Sequence, residues 1–230
     1  MLHGRTVSLV VPTLDEAQGL PRLLARLPEG LDELVVVDGG SRDGTRELAA
    51  ARGARVLVEP RRGYGRAYKT GWAACSGELI ATADGDGTYP VDELGRLVGE
   101  LVARDLDFIS CARLPLGDPA SMDRRNLVGN RLMTWAASLL WGHRFRDILS
   151  GMWVFRRSVL AGLDLRSDDW NLSEEIKLRA YGRLGPRFAE VHIPYRPRLG
   201  ESKLMPWKVG LENILYLLRM RAGLLPPRRP

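Results

Sequence analysis

Two aspartates separated by one residue have the clearest chemical potential in this chain. Asp84 and Asp86 follow the apolar run 79–83, and Gly85 lies between them. Carboxylates at this spacing can share a hard divalent cation such as Mg²⁺ or Mn²⁺, which keeps coordination positions for phosphate oxygens. Gly85 and Gly87 lack a Cβ, so a bulky anion can approach the backbone. Asp and Gly are also common in solvated surface turns, so the spacing alone leaves both interpretations open.

Two more polar turns follow predicted strands. The apolar run 6–11 ends before Pro12, and the run 34–37 ends before Asp38. Strands that are apolar throughout and alternate with helices are typical of a parallel sheet covered on both faces. Ligands of such sheets bind beyond the carboxyl ends of the strands. We therefore expect three turns to meet in one cleft: 13–16, 38–45 and 84–89.

Hydrophobic periodicity and capping residues predict the elements that position these turns. Strands are predicted at 6–11, 34–37, 55–59, 79–83, 107–111, 148–156 and 187–195. Helices are predicted at 16–26, 46–52, 65–75, 91–103, 124–141, 172–184 and 207–220. The fold class is therefore α/β, with a mostly parallel central sheet flanked by helices.

Composition narrows the class of protein. A chain of 230 residues with 45% hydrophobic content can bury one large core. The net charge of +6 favours an anionic partner, but the basic residues are not interleaved with aromatic residues as in nucleic-acid-binding modules, so no nucleic acid is expected. Cys75 and Cys111 have no metal-site or disulfide spacing, which fits a reducing compartment. We expect no secretory signal and no membrane-spanning helix.

Several motifs, taken together and in order, resemble the inverting family 2 glycosyltransferases of the GT-A fold. In the first half these are 12–16, 37–45, 63–67 and 84–90. In the second half, 150–157 and 198–204 resemble in particular the polyprenyl-phosphate (dolichyl-phosphate) glycosyltransferases, of the dolichol-phosphate mannose synthase type. The resemblance covers about residues 6–205. It implies a Rossmann-like GT-A domain that moves a sugar from a nucleotide-diphosphate donor to a polyprenyl phosphate.

The resemblance also implies a division of the chain. One domain would span 1–222, with a nucleotide-sugar-binding half at 1–112 and an acceptor-side half at 113–222. A basic tail, 223–230, would follow. The enzyme would lie at the cytoplasmic membrane face as a peripheral protein.

The donor site is implied at the strand ends of the first half. Glu16 and Asp38 would accept hydrogen bonds from the ribose hydroxyls or the base, a task that suits acceptor-only carboxylates. Asp84 and Asp86 would hold Mg²⁺ or Mn²⁺ at the diphosphate, with Asp86 as the expected direct ligand and a catalytic residue. The family often has two consecutive aspartates where this chain has Asp38 and Gly39, which leaves the base of the donor open. The implied donor-binding residues are Pro12, Thr13, Glu16, Asp38, Asp84, Gly85 and Asp86.

Basic residues of the second half would bind phosphates, by resemblance. The guanidinium group can bind phosphate through two parallel hydrogen bonds, whereas the lysine ammonium is a point charge. A solvated surface location is the alternative for each of these side chains, and Arg131 could replace Arg125. The implied phosphate- and acceptor-binding residues are Arg113, Arg125, Arg198, Ser202 and Lys203. Arg113 is also an implied catalytic residue.

Glu175 is the third implied catalytic residue, and its role depends on the acceptor. A hydroxyl acceptor, on a glycan or a small molecule, needs a general base, and Glu175 matches that position in the wider family. A phosphate acceptor is already ionised and needs none, which would leave Glu175 a positioning role. Acidic residues are also expected in the first turn of a helix for electrostatic reasons. A non-catalytic nucleotide-sugar-binding module remains an alternative of another class.

The last predicted helix, 207–221, is apolar on one side and has basic residues near its ends. This pattern suits contact with an anionic bilayer surface. It also suits a helix that packs on its own domain. The segment 135–141 could line the same lipid-facing groove or belong to the core.

Overall fold

The computed structural model describes residues 1–200 and 206–225. The chain forms seven strands: β1 (Val7–Thr13), β2 (Glu33–Asp38), β3 (Arg55–Val58), β4 (Leu79–Thr82), β5 (Phe108–Ala112), β6 (Trp153–Arg156) and β7 (Phe188–His192). The α-helices are α1 (Leu20–Leu24), α2 (Thr45–Ala51), α3 (Tyr64–Ala74), α4 (Leu94–Ala103), α5 (Arg124–Trp141), α6 (Leu172–Leu184) and α7 (Pro206–Arg221). Most of the predicted basic tail, from 226 onward, lies outside the described residues.

The strands form one sheet in the order β3-β2-β1-β4-β6-β5-β7. β1, β2, β3 and β4 pair in parallel, as do β5 and β7. β6 pairs antiparallel with both β4 and β5. The prediction of a mostly parallel sheet flanked by helices is confirmed.

The strands are buried on both faces, which explains their continuous apolar sequences. In β1, Leu9 and Val11 pack into the core that α1 and α4 cover, while Val10 points into the core that α3, α5 and α6 cover. Successive side chains of a strand point to opposite faces, so each strand contributes to two cores. Helices on both faces therefore hold the strand ends in fixed positions.

The first helix is shorter than predicted. A helix at 16–26 was expected, but α1 covers only Leu20–Leu24. Asp15 has a positive φ of 49°, which is incompatible with a helix, and Pro21 lies in the first turn of α1, where proline is tolerated. Residues 14–19 instead form a turn above the sheet, which places Glu16 at the strand ends.

α5 and α7 pack against each other on one face of the sheet. Arg221 Nε of α7 donates to the carbonyl oxygen of Leu140 in α5 at 2.9 Å. Of the helices in the described part of the chain, none has the length and apolar character needed to cross a membrane.

Candidate active site

The three polar turns lie at one edge of the sheet, because β1, β2 and β4 run in the same direction. Thr13 and Asp38 are paired in the β1–β2 register, and Thr13 Oγ1 donates to Asp38 Oδ2 at 3.3 Å. Asp84 and Asp86 follow the end of β4, which is the other neighbour of β1. This edge therefore brings together the carboxylates that the sequence singled out.

Asp86, Glu16 and Arg198 form the centre of the cluster. Arg198 Nη1 donates to Asp86 Oδ2 at 2.6 Å, and Arg198 Nη2 donates to Glu16 Oε1 at 2.7 Å. The other oxygen of Asp86 accepts from the amide and hydroxyl of Thr88 at 3.0 and 2.7 Å. One guanidinium group thus bridges two carboxylates from different turns. Among the described residues, its buried Nε has no hydrogen-bond partner.

Asp84 has tyrosine hydroxyls as its hydrogen-bond partners. Its Oδ1 accepts hydrogen bonds from Tyr64 and Tyr68, at 3.1 and 3.3 Å. Burial, together with the nearby charge of Asp86, raises the pKa of Asp84 to about 7. A carboxylate with this pKa gains from a neighbouring cation, because a positive charge favours the ionised form.

The two tyrosines were not among the predicted site residues. Both come from α3, which begins in the glycine-containing motif 63–67. A Cβ on Gly151 would collide with the Tyr64 hydroxyl, so the loop before β6 closes against the same group. The only sequence signal for this arrangement was the motif itself.

Gly85 packs against the end of β1, and its contact with the donor stays a prediction. A Cβ at this position would lie 2.8 Å from Thr13 Cγ2 and 3.3 Å from the carbonyl oxygen of Pro12. The glycine lets the turn after β4 pack directly on the end of β1, which is a contact within the protein. Gly87 has a φ of 72°, a conformation that favours glycine.

Asp38 is fully buried and accepts hydrogen bonds from inside its own turn. Its Oδ1 accepts from the amides of Gly40 and Ser41, at 3.0 and 2.9 Å. Its Oδ2 accepts from the hydroxyls of Ser41 and Thr13. The carboxylate therefore holds the 38–45 turn in shape; contact with the donor stays a prediction.

Arg113 lies at the end of β5 and is almost completely buried. Its Nε and Nη2 donate to the two oxygens of Asp147 at 2.7 and 2.9 Å, and its backbone amide donates to Asp147 as well. Burial disfavours the charged form of both groups, but the attraction between them has the larger effect. The pKa of Asp147 therefore lies well below its usual range, and the pKa of Arg113 lies above its usual range. The guanidinium also lies 5.2 Å from the ring centre of Tyr195.

Asp147, like Tyr64 and Tyr68, was not among the predicted site residues. Asn130 of α5 donates to its Oδ1 at 2.9 Å, and Lys177 of α6 donates to its backbone carbonyl at 2.9 Å. α5 and the end of β5 therefore meet at the Asp147 carboxylate, and α6 binds the backbone of the same residue. An aspartate in an otherwise unmarked loop gives no pattern that would predict this.

Two further predicted basic residues lie on α5 and not at the strand ends that form the cluster. Arg125 and Arg131 are exposed on α5, and the backbone amide of Arg125 donates to the capping carboxylate of Asp123. Ser202 and Lys203 lie outside the described residues.

Glu175 is fully buried in α6. Its two oxygens accept from the amides of Arg166 and Ser167 at 2.8–3.0 Å, and Oε1 accepts from Arg179 Nε at 3.0 Å. The carboxylate joins α6 to the loop before it. None of these hydrogen bonds involves the Asp84–Asp86 cluster.

Comparison with known proteins decides the family. The model of glycosyl transferase family 2 matches residues 8–163. The chain belongs to glycosyltransferase family 2. This confirms the resemblance of the motifs, and it makes the protein a glycosyltransferase.

Relatives of this family 2 enzyme have related names. A dolichyl-phosphate hexose transferase of Haloferax volcanii is 36% identical, over 89% of both chains. An undecaprenyl-phosphate mannosyltransferase of Micrococcus luteus is 31% identical, also over 89% of both chains. Among solved structures, glucosyl-3-phosphoglycerate synthase of Mycobacterium tuberculosis, in complex with Mn²⁺, UDP-glucose and phosphoglyceric acid, superposes with a TM-score of 0.77. It is 25% identical, and the match covers 97% of this chain and 81% of the synthase. The GT-A fold is thereby confirmed.

The carboxylate cluster of this family 2 enzyme fits a divalent cation that arrives with a diphosphate. The oxygens of Asp84 and Asp86 are the hard ligands that Mg²⁺ and Mn²⁺ prefer, and the Arg198 contact shows that Asp86 and Glu16 attract a cation. Within 1–200 and 206–225, no group of three or more Asp, Glu, His or Cys side chains could hold a metal ion by itself. A cation at this site would therefore need further ligands, such as water or oxygens of the donor diphosphate.

Proposed function

We propose that this family 2 glycosyltransferase moves a hexose from a nucleotide-diphosphate sugar to a polyprenyl phosphate, with inversion and with a divalent cation. The names of the Haloferax and Micrococcus relatives support the acceptor class. The Mn²⁺ and UDP-glucose in the mycobacterial synthase support the donor and the cation.

The position of Glu175 is the main observation that favours a phosphate acceptor over a hydroxyl acceptor. Both of its oxygens are engaged by backbone amides and by Arg179, and the residue has no exposed surface. A general base needs an oxygen within reach of the acceptor hydroxyl. A phosphate acceptor attacks without one, since it is already ionised. The geometry therefore supports a phosphate acceptor over a hydroxyl acceptor.

Arg198 supports the same choice. Its Nη1 and Nη2 bind carboxylates, but its buried Nε has no partner among the described residues. A buried donor without an acceptor is costly, so this nitrogen favours an incoming oxygen anion. Arg113 adds a fixed positive charge whose field reaches Asp84. These two guanidinium groups would orient the donor and acceptor phosphates.

The proposed reaction is a displacement at the anomeric carbon. An oxygen of the lipid phosphate forms the new bond as the bond to the nucleoside diphosphate breaks, with inversion. Asp84 and Asp86 would hold the divalent cation, which when bound stabilises the negative charge of the leaving diphosphate. Asp147 keeps the Arg113 guanidinium in place during the transfer through its two parallel hydrogen bonds.

We place the enzyme at the inner face of the cell membrane as a peripheral protein. The lipid phosphate that it would use lies at a membrane surface, and the net charge of +6 favours an anionic surface.

A donor-hydrolysis screen tests this proposal. The enzyme is incubated with UDP-, GDP- and dTDP-sugars, with and without a polyprenyl phosphate, and in the presence of Mg²⁺, Mn²⁺ or EDTA. We expect release of nucleoside diphosphate and formation of a sugar–lipid phosphate only when the lipid phosphate and a divalent cation are both present. Equal turnover with hydroxyl acceptors such as glycans, or full turnover in EDTA, would contradict it.

A further inference from the structure

α5 has two apolar faces, and only one of them is covered. Met133 and Ala137 on one side are buried in the core. Four large apolar residues on the opposite side are between 54% and 68% exposed: Val128, Leu132, Trp135 and Leu139. Their spacing of four, three and four residues places them in one line along the helix. We call this line the α5 stripe.

α7 repeats the arrangement beside it. Asn213 and Leu217 are buried, while Leu211, Leu215 and Leu218 are 44–61% exposed at the same helical spacing. The two helices pack together, and Arg221 of α7 is bonded to the last turn of α5. Two neighbouring helices thus each carry outward apolar residues opposite their buried face. Contiguous exposed apolar surface of this kind marks an interaction site.

The charges on α5 indicate the occupant. Arg124, Arg125 and Arg131 are exposed, and the helix contains no acidic residue. At 100° per residue, these arginines project to both sides of the α5 stripe. A second copy of the chain docked symmetrically through α5 would bring arginine against arginine, and α5 itself has no carboxylate to pair with them. An anionic lipid surface supplies both the apolar layer and the negative charges.

From this we infer that the α5 stripe, together with the outward leucines of α7, is the surface by which the enzyme docks on an anionic lipid bilayer. The inference rests on the proposed function, because it names the membrane contact through which the lipid phosphate would reach the site. The stripe lies parallel to the surface; the helix does not cross the membrane.

The inner face of α5 links this surface to the site. Asn130 donates to Asp147, and Asp147 holds Arg113 at the end of β5. Thr134, one turn further on, accepts from the amide of Ile148 at 3.1 Å. A helix is about 10–12 Å wide with its side chains. A bilayer in contact with the stripe would therefore lie about one helix diameter from the Asp147–Arg113 pair.

Vesicle co-sedimentation of the full chain tests the docking surface. The vesicles consist of phosphatidylcholine alone or of phosphatidylcholine mixed with phosphatidylglycerol. We expect the wild-type chain to bind the anionic vesicles. The double variant Leu132→Asn/Trp135→Asn should bind them at least about tenfold more weakly. Arg124→Gln should weaken binding to the anionic vesicles about fivefold and leave any binding to phosphatidylcholine alone unchanged. Leu48→Asn, an exposed leucine of α2, is the matched control and should bind as the wild type does.

Two results would overturn the inference. One is that the wild-type chain does not bind anionic vesicles, or that the double variant binds them as well as the wild type does. The other is a wild-type dimer in sedimentation velocity that the double variant abolishes while vesicle binding persists, which would make the stripe an interface between copies. Circular dichroism and the melting temperature verify that the variants are folded.

A soluble substrate separates this inference from the proposed function. Transfer to a short-chain, water-soluble isoprenyl phosphate does not need a bilayer. If that transfer proceeds while vesicle binding fails, the docking surface is wrong and the function stands. If vesicle binding holds while no isoprenyl or polyprenyl phosphate is glycosylated, the function is wrong.

Discussion

Removal of the Arg198 guanidinium should strengthen the binding of Mn²⁺ to the donor-free enzyme. In the structure this side chain bridges Asp86 and Glu16 at 2.6 and 2.7 Å. It neutralises Asp86, one of the two carboxylates that would hold the metal, so a cation must displace it. The variant Arg198→Ala removes this contact from both Asp86 and Glu16 and takes away a repelling positive charge.

The structure sets the size of the effect. A hydrogen bond to a charged group contributes about 1.5–3 kcal/mol, and we take the low end because 28% of the Arg198 side chain is exposed. Loss of the Asp86 contact alone then lowers the Kd for Mn²⁺ roughly tenfold. Sugar transfer should fall at the same time, because the proposed phosphate ligand is gone. The affinity for Mn²⁺ should therefore rise while the rate of sugar transfer falls.

Electron paramagnetic resonance of free Mn²⁺, or calorimetric titration, measures the affinity without donor. Arg196 offers the matched control, because it lies in the same loop but pairs with Asp92 at 2.9 and 3.1 Å. Arg196→Gln should leave the Mn²⁺ affinity unchanged. Unchanged or weaker Mn²⁺ binding by Arg198→Ala would show that the guanidinium does not compete with the metal.

Three further variants test other parts of the site. Asp86→Ala should abolish transfer and leave a folded protein by circular dichroism; wild-type turnover would refute the metal assignment. Glu175→Gln should retain transfer to a polyprenyl phosphate to within about tenfold, whereas a general base would lose about 10²–10⁴-fold in rate. Asp147→Asn should cost about 3–5 kcal/mol in the free energy of unfolding by urea, since it leaves the buried Arg113 charge unpaired. The pKa of Asp147 is lower in the folded than in the unfolded state, so its stabilisation is present above the unfolded pKa and is lost as pH falls through the folded pKa. The wild type should therefore lose more stability on acidification than Asp147→Asn does, and parallel pH profiles would contradict this.

The sheet and the convergence of its acidic turns could be predicted because both follow from local patterns. Apolar strands that alternate with helices require parallel pairing, and parallel strands end at a common edge. Because Asp84 and Asp86 follow an apolar run, the sequence alone predicted that they lie at the same edge of the sheet as the end of β1. Glu16 was placed in the same cluster, although the turn that carries it was expected to be helical.

Contacts between distant parts of the chain could not be predicted in this way. Arg198 lies 112 residues from Asp86, and only the folded chain shows that one guanidinium joins Asp86 to Glu16. Asp147 has no local pattern at all. In α5, periodicity revealed apolar residues but could not tell which of two apolar faces the core would cover, so the exposure of Trp135 became visible only in the structure.

The position of β6 between β4 and β5 has a consequence for attempts to divide this enzyme. β6 comes from the second half of the chain, yet it is inserted between β4 and β5, both from the first half. A fragment that stops at residue 112 would lose this strand and expose the edge of β4, whose four residues are all buried in the whole protein. Unpaired apolar edges recruit other chains. The fragment 1–112 would therefore be prone to aggregate when expressed alone, and truncation at this point is a poor route to a smaller folded protein.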